Sequence, residues 1–354
     1  MKKMIIDGRT ISPEYPPYII AEMSANHNGN IDNAYKIISA AKKAGASAVK
    51  MQTYTADTLT LNSRRPDFLI ENGLWQGLSL YELYQSAYTP WEWHKPLFEF
   101  AKNEGITIFS SPFDSTAVDL LEDLNAPAYK IASFEIIDLE LIKYAASTGK
   151  PLIISTGMAN EEEIKEAIEV ARASNCTELA LLHCVSGYPS PAKDYNLRTI
   201  QDMTQRFGTL TGLSDHTLDN STAIASVALG VCIIEKHFTL DRLGGGPDDS
   251  FSMEPINLME LVKSSAIAHA ALGTVNYHLK SSESDNIKFR RSLYFVRPMK
   301  VGQIISKADV RSIRPGYGIP PKMINEVIGS KMLKDVDLGT AVNVDLYSRS
   351  VIDW

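Results

Sequence analysis

The chain has 354 residues, enough for one large domain and a small one. Its hydrophobic fraction of 44% and charged fraction of 22% are those of a soluble globular protein. A formal net charge of −7 leaves no basic excess for neutralising phosphates, so no nucleic-acid partner is expected; no apolar run is long enough to span a bilayer, so no membrane partner is expected either.

The first residues, MKKMIIDGRT, are basic and briefly apolar, but Asp7 and Arg9 interrupt them too early for a signal-peptide core. Beyond them, short β-branched runs alternate with longer amphipathic ones. In chain order the predicted strands are YIIAEMS (18–24), AVKMQTY (48–54), TIFSSPF (107–113), YKIAS (129–133), PLIISTG (151–157), LALLHCV (179–185), LTGLSDHT (210–217) and CIIEKHFT (232–239). Helical periodicity lies between most of them, as in IDNAYKIISAAKKAGA (31–46), WEWHKPLFEFAKNEG (91–105), TAVDLLEDLN (116–125), EEEIKEAIEVARAS (161–174) and STAIASVALG (221–230), and several of these runs end at glycine, as a helix C-cap should. Strands alternating with helices at this spacing predict βαβ units, and eight of them make a (β/α)8 TIM barrel. One connection is unusual: residues 55–90, after the second strand, form a long insertion on the side of the barrel where loops shape a pocket.

Near Tyr277–Asn286 the pattern changes. SSESDN has loop composition, and the runs that follow are short and strand-like with many turns. The expected organisation is a catalytic barrel over 1–276, a linker over 277–288 and a small β domain over 289–354 with little core of its own. Three cysteines, Cys176, Cys184 and Cys232, form no CxxC pattern and are odd in number, which points to a reducing, cytoplasmic setting.

Barrel enzymes place their chemistry at the C-terminal strand ends. Those ends carry Glu22; Lys50 and Gln52; Ser110 and Ser111; Lys130 and Ser133; Ser155 and Thr156; Cys184, Ser186 and Tyr188; Ser214 and His216; Glu235 and His237. The spacing of two in Lys50/Gln52, Ser214/His216 and Glu235/His237 puts each pair on one strand face. A single serine here would be a turn residue, a single lysine a snorkelling surface residue, and a single histidine a bonded core residue. Polar groups at all eight ends, above apolar strand bodies, favour a site. Two lysines among hydroxyls suit a phosphate or carboxylate, two neutral imidazoles suit a divalent first-row metal, and Glu22 suits acid–base work. The set predicts a lyase or transferase acting on a phosphorylated or carboxylated substrate.

The motifs IIAEMSANHNGN, AGASAVKMQTY, YKIAS, GLSDHT, IEKHFTLDR and GPDDSFSMEP, with the tail SLYFVRPMKVGQIISKADVRSIRPGYGIPP, resemble the sialic acid synthase family over essentially the whole chain. The tail resembles that family's SAF, or antifreeze-like, β-clip domain. The resemblance implies condensation of phosphoenolpyruvate with a 2-acetamido sugar aldehyde and water, giving a nine-carbon 2-keto acid and phosphate. It implies that His216 and His237 ligate a divalent metal, typically manganese with magnesium or cobalt as alternatives, which acts as a Lewis acid on the aldehyde. Lys50, Ser111, Lys130, Ser133, Ser155 and Ser214 would hold phosphoenolpyruvate, and Glu22 would handle the proton of water. Gln52, Tyr188, Glu235 and Asp248 would contact the sugar, and Arg314 would reach it from a partner subunit in a domain-swapped homodimer.

Ser186 stands where the sialic acid enzymes carry asparagine, and Leu74 and Trp75 replace smaller, more polar residues in the insertion. With SANHNG, LYELYQSAYTPWEWH and RSIRPGYGIPPK, these departures resemble the pseudaminic acid synthase branch, whose substrate is a 6-deoxy diacetamido L-altrose. Trp75 would be an apolar wall for the methyl group. The alternatives are a legionaminic or N-acetylneuraminic acid synthase, a Schiff-base aldolase using Lys50 or Lys130, and a non-catalytic sugar- or metal-binding barrel.

Overall fold

Period-two alternation along the strands decides the architecture. The computed structural model describes residues 2–348; the end of the expected C-terminal domain, 349–354, lies outside the described residues. Eight parallel strands close into a barrel: β1 (Tyr18–Glu22), β2 (Ala48–Thr53), β3 (Thr107–Pro112), β4 (Tyr129–Ile131), β5 (Leu152–Ser155), β6 (Leu179–Cys184), β7 (Leu210–Asp215) and β8 (Ile233–His237). β8 pairs back onto β1 with His237 beside Glu22.

Residues at alternate positions fill the interior. Tyr18, Ile20, Ala48, Phe109, Ile153, Leu182, Leu210 and Ile233 form one buried cluster, joined by Met4, Ile6 and Ile11. Those last three belong to an antiparallel hairpin, Met4–Ile6 with Arg9–Ile11, which plugs the N-terminal end. The intervening strand residues, such as Ile19, Val49, Leu213 and Ile234, pack outward against the helices. Gly212 is needed inside, because a Cβ there would stand 2.5 Å from both the Ile233 carbonyl oxygen and a Leu182 methyl.

The helices are α1 (Ile31–Ala44), α2 (Trp91–Glu104), α3 (Ser115–Asp123), α4 (Leu139–Ser147), α5 (Glu161–Ala173), α6 (Thr199–Phe207), α7 (Ser221–Val227) and α8 (Pro255–Leu272). α1, α2 and α6 end at Gly45, Gly105 and Gly208 in the left-handed conformation. Asn160 caps α5 in a capping box with Glu163. The insertion after β2 holds two short helices, Ala56–Leu59 and Leu80–Ala87, around a largely exposed loop. No helix among the described residues is long and apolar enough to cross a membrane.

The chain forms two compact units, Met1–Gly273 and Thr274–Trp354. The second has antiparallel pairs β9 (Ser292–Phe295) with β10 (Val310–Ile313) and β11 (Lys331–Met332) with β12 (Tyr347–Ser348). It differs from the sequence expectation in two respects. It has its own buried core, including Leu293, Phe295, Met299, Ile305, Val327 and Val342, drawn from both its short strands and the turns between them. The stretch read as linker contains a 3-10 run, Ser281–Phe289, with exposed side chains.

Candidate active site

The same alternation that fills the barrel bottom brings polar groups to its mouth. Two residues beyond Ile20, Ala48, Phe109, Ile153, Gly212 and Ile233 come Glu22, Lys50, Ser111, Ser155, Ser214 and Glu235, all buried. Lys130 joins them from β4. Lys50 Nζ lies 3.0 Å from Glu22 Oε2 and 3.0 Å from Glu235 Oε1, and Lys130 Nζ lies 3.7 Å from that same Glu235 oxygen. Two lysines and two carboxylates therefore balance in a site shielded from water, where unpaired charge would be costly.

Burial sets the titration of this cluster. It pushes the Glu22 carboxyl up to about 7, with Glu235 adding to the rise and Lys50 opposing it. It pulls the Lys130 ammonium down to about 8, against the attraction of Glu235. For Lys50, Glu22 and Glu235 outweigh burial and hold the ammonium above the ordinary lysine range. For Glu235, the two lysines outweigh burial and hold the carboxyl below the ordinary range. Glu22 and Lys130 are thus the members poised near neutrality.

Buried hydroxyls come from the neighbouring strand ends. Ser111 Oγ and Ser155 Oγ are buried without a hydrogen-bond partner, and Ser214 Oγ donates to Glu235 Oε1 at 3.5 Å. Ser133 Oγ accepts the Gly157 amide at 3.2 Å. A Cβ at Gly157 would stand 2.3 Å from Ser186 Oγ and 2.8 Å from Ser133 Oγ, so glycine lets these serines close over the end of β5. Orphaned hydroxyls beside a buried lysine are acceptors and donors awaiting an anion.

The imidazoles occupy the neighbouring sector. Their ring centroids are 5.4 Å apart. His216 Nδ1 lies 2.8 Å from the Val185 carbonyl, which can only accept; the proton therefore sits on Nδ1 and Nε2 keeps a lone pair. Burial opposes charge on both His216 and Cys184, whose sulfur is 4.0 Å from His216 Nδ1, but their mutual attraction, helped by the Val185 carbonyl and Glu235 for the imidazole and by Ser133 and Lys130 for the thiol, outweighs it, raising the imidazole pKa and drawing the thiol to about 7. Burial, with His216 and Lys50, drives His237 well below the ordinary histidine value, so its ring is neutral. His237 Nδ1 is buried without a hydrogen-bond partner, 3.9 Å from Asp248 Oδ2. An orphaned imidazole nitrogen beside a second ring with a free lone pair fits a divalent metal. Among the described residues no group of three His, Cys, Asp or Glu side chains forms a metal site, so oxygen ligands from water or substrate would complete the shell.

The remaining predicted residues line the rim. Tyr188 packs on both histidines, at 4.4 Å from His216 and 5.9 Å from His237. Trp75 lies 6.3 Å from Tyr188, and its indole N–H donates to the Pro247 carbonyl at 3.1 Å, tying the insertion to the loop after β8. Asp248 accepts from Ser24 Oγ at 2.5 Å. Gln52 is half-buried beside Ser111. Leu74 is exposed, while Trp75 beside it is half-buried. Arg314 is exposed in the second unit, after β10.

Sequence reasoning missed Glu135, Gly157 and Phe251. Glu135 follows β4 on a 3-10 turn, with Oε2 buried and unbonded, and burial pushes its carboxyl up to about 7 against Lys130. Phe251 packs 5.1 Å from His237 and 5.4 Å from Tyr188, but comes from a three-residue 3-10 run, Asp249–Phe251, too short to show a period.

A buried cluster of lysines, carboxylates and hydroxyls, with two histidines beside it, stands at the C-terminal mouth of a (β/α)8 barrel, the end where barrel enzymes carry their active sites. Comparison with known proteins gives the lineage. Residues 37–277 match the NeuB family model and residues 290–342 the SAF domain model. The chain belongs to the NeuB family. It is 44% identical over 325 residues to a pseudaminic acid synthase of Campylobacter jejuni, covering 92% of this chain and 95% of that one. It is 42% identical over 337 residues to a pseudaminic acid synthase of Helicobacter pylori, covering 95% and 99%. The crystal structure of an N-acetylneuraminic acid synthetase from Leptospira borgpetersenii, in complex with citrate, is similar with a TM-score of 0.72 and 30% identity over 82% of this chain and 96% of that one.

Proposed function

We propose that the chain is a pseudaminic acid synthase. It condenses phosphoenolpyruvate with 2,4-diacetamido-2,4,6-trideoxy-L-altrose and water, releasing pseudaminic acid and inorganic phosphate. The observation that carries the chemistry is the buried Glu22–Lys50–Glu235–Lys130 cluster facing His216 and His237.

Lys50 and Lys130 offset the phosphate and carboxylate charges of phosphoenolpyruvate, and Ser111, Ser133, Ser155, Ser186 and Ser214 orient it. C3 of the enol forms the new bond to the aldehyde carbon as its C=O π bond opens, the aldehyde oxygen takes up a proton to become the new hydroxyl, and C2 becomes cationic. Glu22, as the carboxylate, accepts a proton from the water that adds at C2; the tetrahedral centre then expels phosphate. His216 and His237 would hold a divalent metal, manganese first with magnesium or cobalt as alternatives. When bound, the metal supplies Lewis acidity to the sugar carbonyl oxygen. Gln52, Tyr188, Glu235 and Asp248 orient the sugar, and Trp75 faces its 6-methyl group.

The test is phosphate release from phosphoenolpyruvate and manganese with N-acetylmannosamine, its 6-phosphate, or the altrose- and mannose-type diacetamido sugars, each supplied separately. The altrose-type sugar is expected to give the highest turnover, and a chelator to abolish it. Turnover only with N-acetylmannosamine overturns the assignment; turnover only with the mannose-type sugar makes the chain a legionaminic acid synthase. The lowered Lys130 ammonium is the one feature favouring a Schiff-base aldolase. Borohydride trapping is expected to yield no adduct.

The reading extends to a cytoplasmic homodimer in which Arg314 serves the sugar site of the partner subunit. Co-expressing a Glu22→Gln chain with an Arg314→Ala chain should then give more activity than the two separately purified variants together.

A further inference from the structure

Behind the histidines lies a second buried charge pair that the chemistry above does not use. Asp215 and Lys236 are register partners at the end of the β7–β8 ladder, each one residue before a histidine. Alternation turns them away from the mouth. Both are fully enclosed, and Lys236 Nζ lies 2.9 Å from Asp215 Oδ2. The same ammonium donates to the Thr217 carbonyl and approaches Thr217 Oγ1 at 3.4 Å. Asp215 closes the turn by accepting the Thr217 amide at 2.9 Å and the Thr217 hydroxyl at 3.1 Å.

His216 therefore sits at the apex of a three-residue turn whose two flanking residues are both held by the lysine next to His237. This matters because the backbone ladder stops short. β7 pairs with β8 only as far as Asp215 with Lys236, whereas His237 pairs on its other side with Glu22. No β7–β8 ladder bond reaches His216. The ion pair is the link from β8 that continues past the end of the ladder.

A buried ion pair adds little net stability over an apolar pair of the same volume, since desolvation offsets its attraction. What it adds is direction: three donors and one carboxylate are satisfied in a single arrangement. We propose that the Asp215–Lys236 pair is a positioning device that fixes the separation of His216 and His237, and so sets the affinity of the site for a divalent metal. The proposal rests on the reading of these histidines as metal ligands.

The experiment measures Mn2+ binding to the full chain without substrates, by the electron paramagnetic resonance signal of free Mn2+. Phosphoenolpyruvate binding without metal is measured by calorimetry on the same samples. The variants are the double replacement Asp215→Asn with Lys236→Met and the single Asp215→Asn, each first checked for cooperative unfolding. Loss of outer partners of metal-binding histidines costs about 10- to 100-fold in metal affinity, and a weakening of at least about tenfold is expected here. Phosphoenolpyruvate affinity should stay at its parent value, because Lys50 and Lys130 do not touch the pair; general loosening would weaken both. Parent-like Mn2+ affinity in a folded variant overturns the proposal. So does failure of both variants to fold, which would make the pair a folding determinant instead. His216→Ala and His237→Ala serve as controls. Retained Mn2+ binding in either would sink the ligand reading itself.

Discussion

The Lys50 ammonium lies 3.0 Å from the Glu22 carboxylate, across neighbouring strands on which the two residues are register partners. Neither is solvated, so each depends on the other for its charge. Removing the acid and removing the base therefore have different consequences. Glu22→Gln keeps the shape and leaves Lys50 its second partner, Glu235. The expected result is a fall in kcat of ~10² to 10⁴, the range of general acid–base catalysis, with phosphoenolpyruvate affinity retained. Lys50→Met strands the buried Glu22 carboxylate and leaves Glu235 with Lys130 alone, and should lower stability by ~3–5 kcal/mol, measured by urea unfolding.

The pH profile should be narrow. Glu22 must be ionised to accept the proton of water, and its carboxyl is pushed up to about 7. Lys130 must be protonated to hold phosphate, and its ammonium is pulled down to about 8. In the free enzyme, kcat/KM should rise through the first value and decline through the second. Stability has the opposite sign on the acid side. Native Glu22 retains a proton that the unfolded chain releases above about 4.5, so its contribution to stability shrinks as pH climbs to about 7. Unfolding midpoints compared for the parent and Glu22→Gln across that window would show this slope in the parent and its loss in the variant.

Gly157 is a position where one methyl group should be felt. A Cβ overlaps the hydroxyls of Ser186 and Ser133, and both would have to turn out of the phosphoenolpyruvate cradle. Gly157→Ala should raise KM for phosphoenolpyruvate about tenfold, the equivalent of roughly one or two hydrogen bonds, while the KM for sugar stays near the parent value. An unchanged KM would place those serines outside the cradle.

Trp75 predicts the converse. Its N–H bonds to Pro247 and it lies near Tyr188, and the proposed function gives it the sugar side. Trp75→Ala removes both the wall and the tie between two loops, and should raise the sugar KM by about tenfold or more, with the phosphoenolpyruvate KM unaffected; an aromatic anchor is worth roughly this much. A parent-like sugar KM would remove Trp75 from the pocket.

Much of this was legible in the sequence, because strand residues obey a period of two. Ile20 buried in the barrel dictates Glu22 at the mouth, and the same step leads from Ala48 to Lys50 and from Ile233 to Glu235. Groups beyond the last strand residue escaped that rule. Glu135 and Phe251 each end a short 3-10 run, Ser133–Glu135 and Asp249–Phe251, where the period of two no longer applies. Gly157 escaped for another reason: its role is the absence of a side chain, visible only once Ser133 and Ser186 are placed. Asp215 and Lys236 were in plain sight beside the histidines, but a sequence cannot show that one ammonium reaches around its neighbour.

The closure of the barrel has a bearing on how the protein is born. β1 finds its second neighbour only when β8 pairs with it, setting Glu22 beside a histidine 215 positions later in the chain. Contacts of such sequence separation are slow to form. A nascent chain thus carries its proton acceptor from the first moments of synthesis but lacks the residues that complete the site until nearly all of the barrel has been synthesised. The enzyme cannot act on phosphoenolpyruvate while still incomplete, and recovery of turnover during refolding would serve as a clock for ring closure.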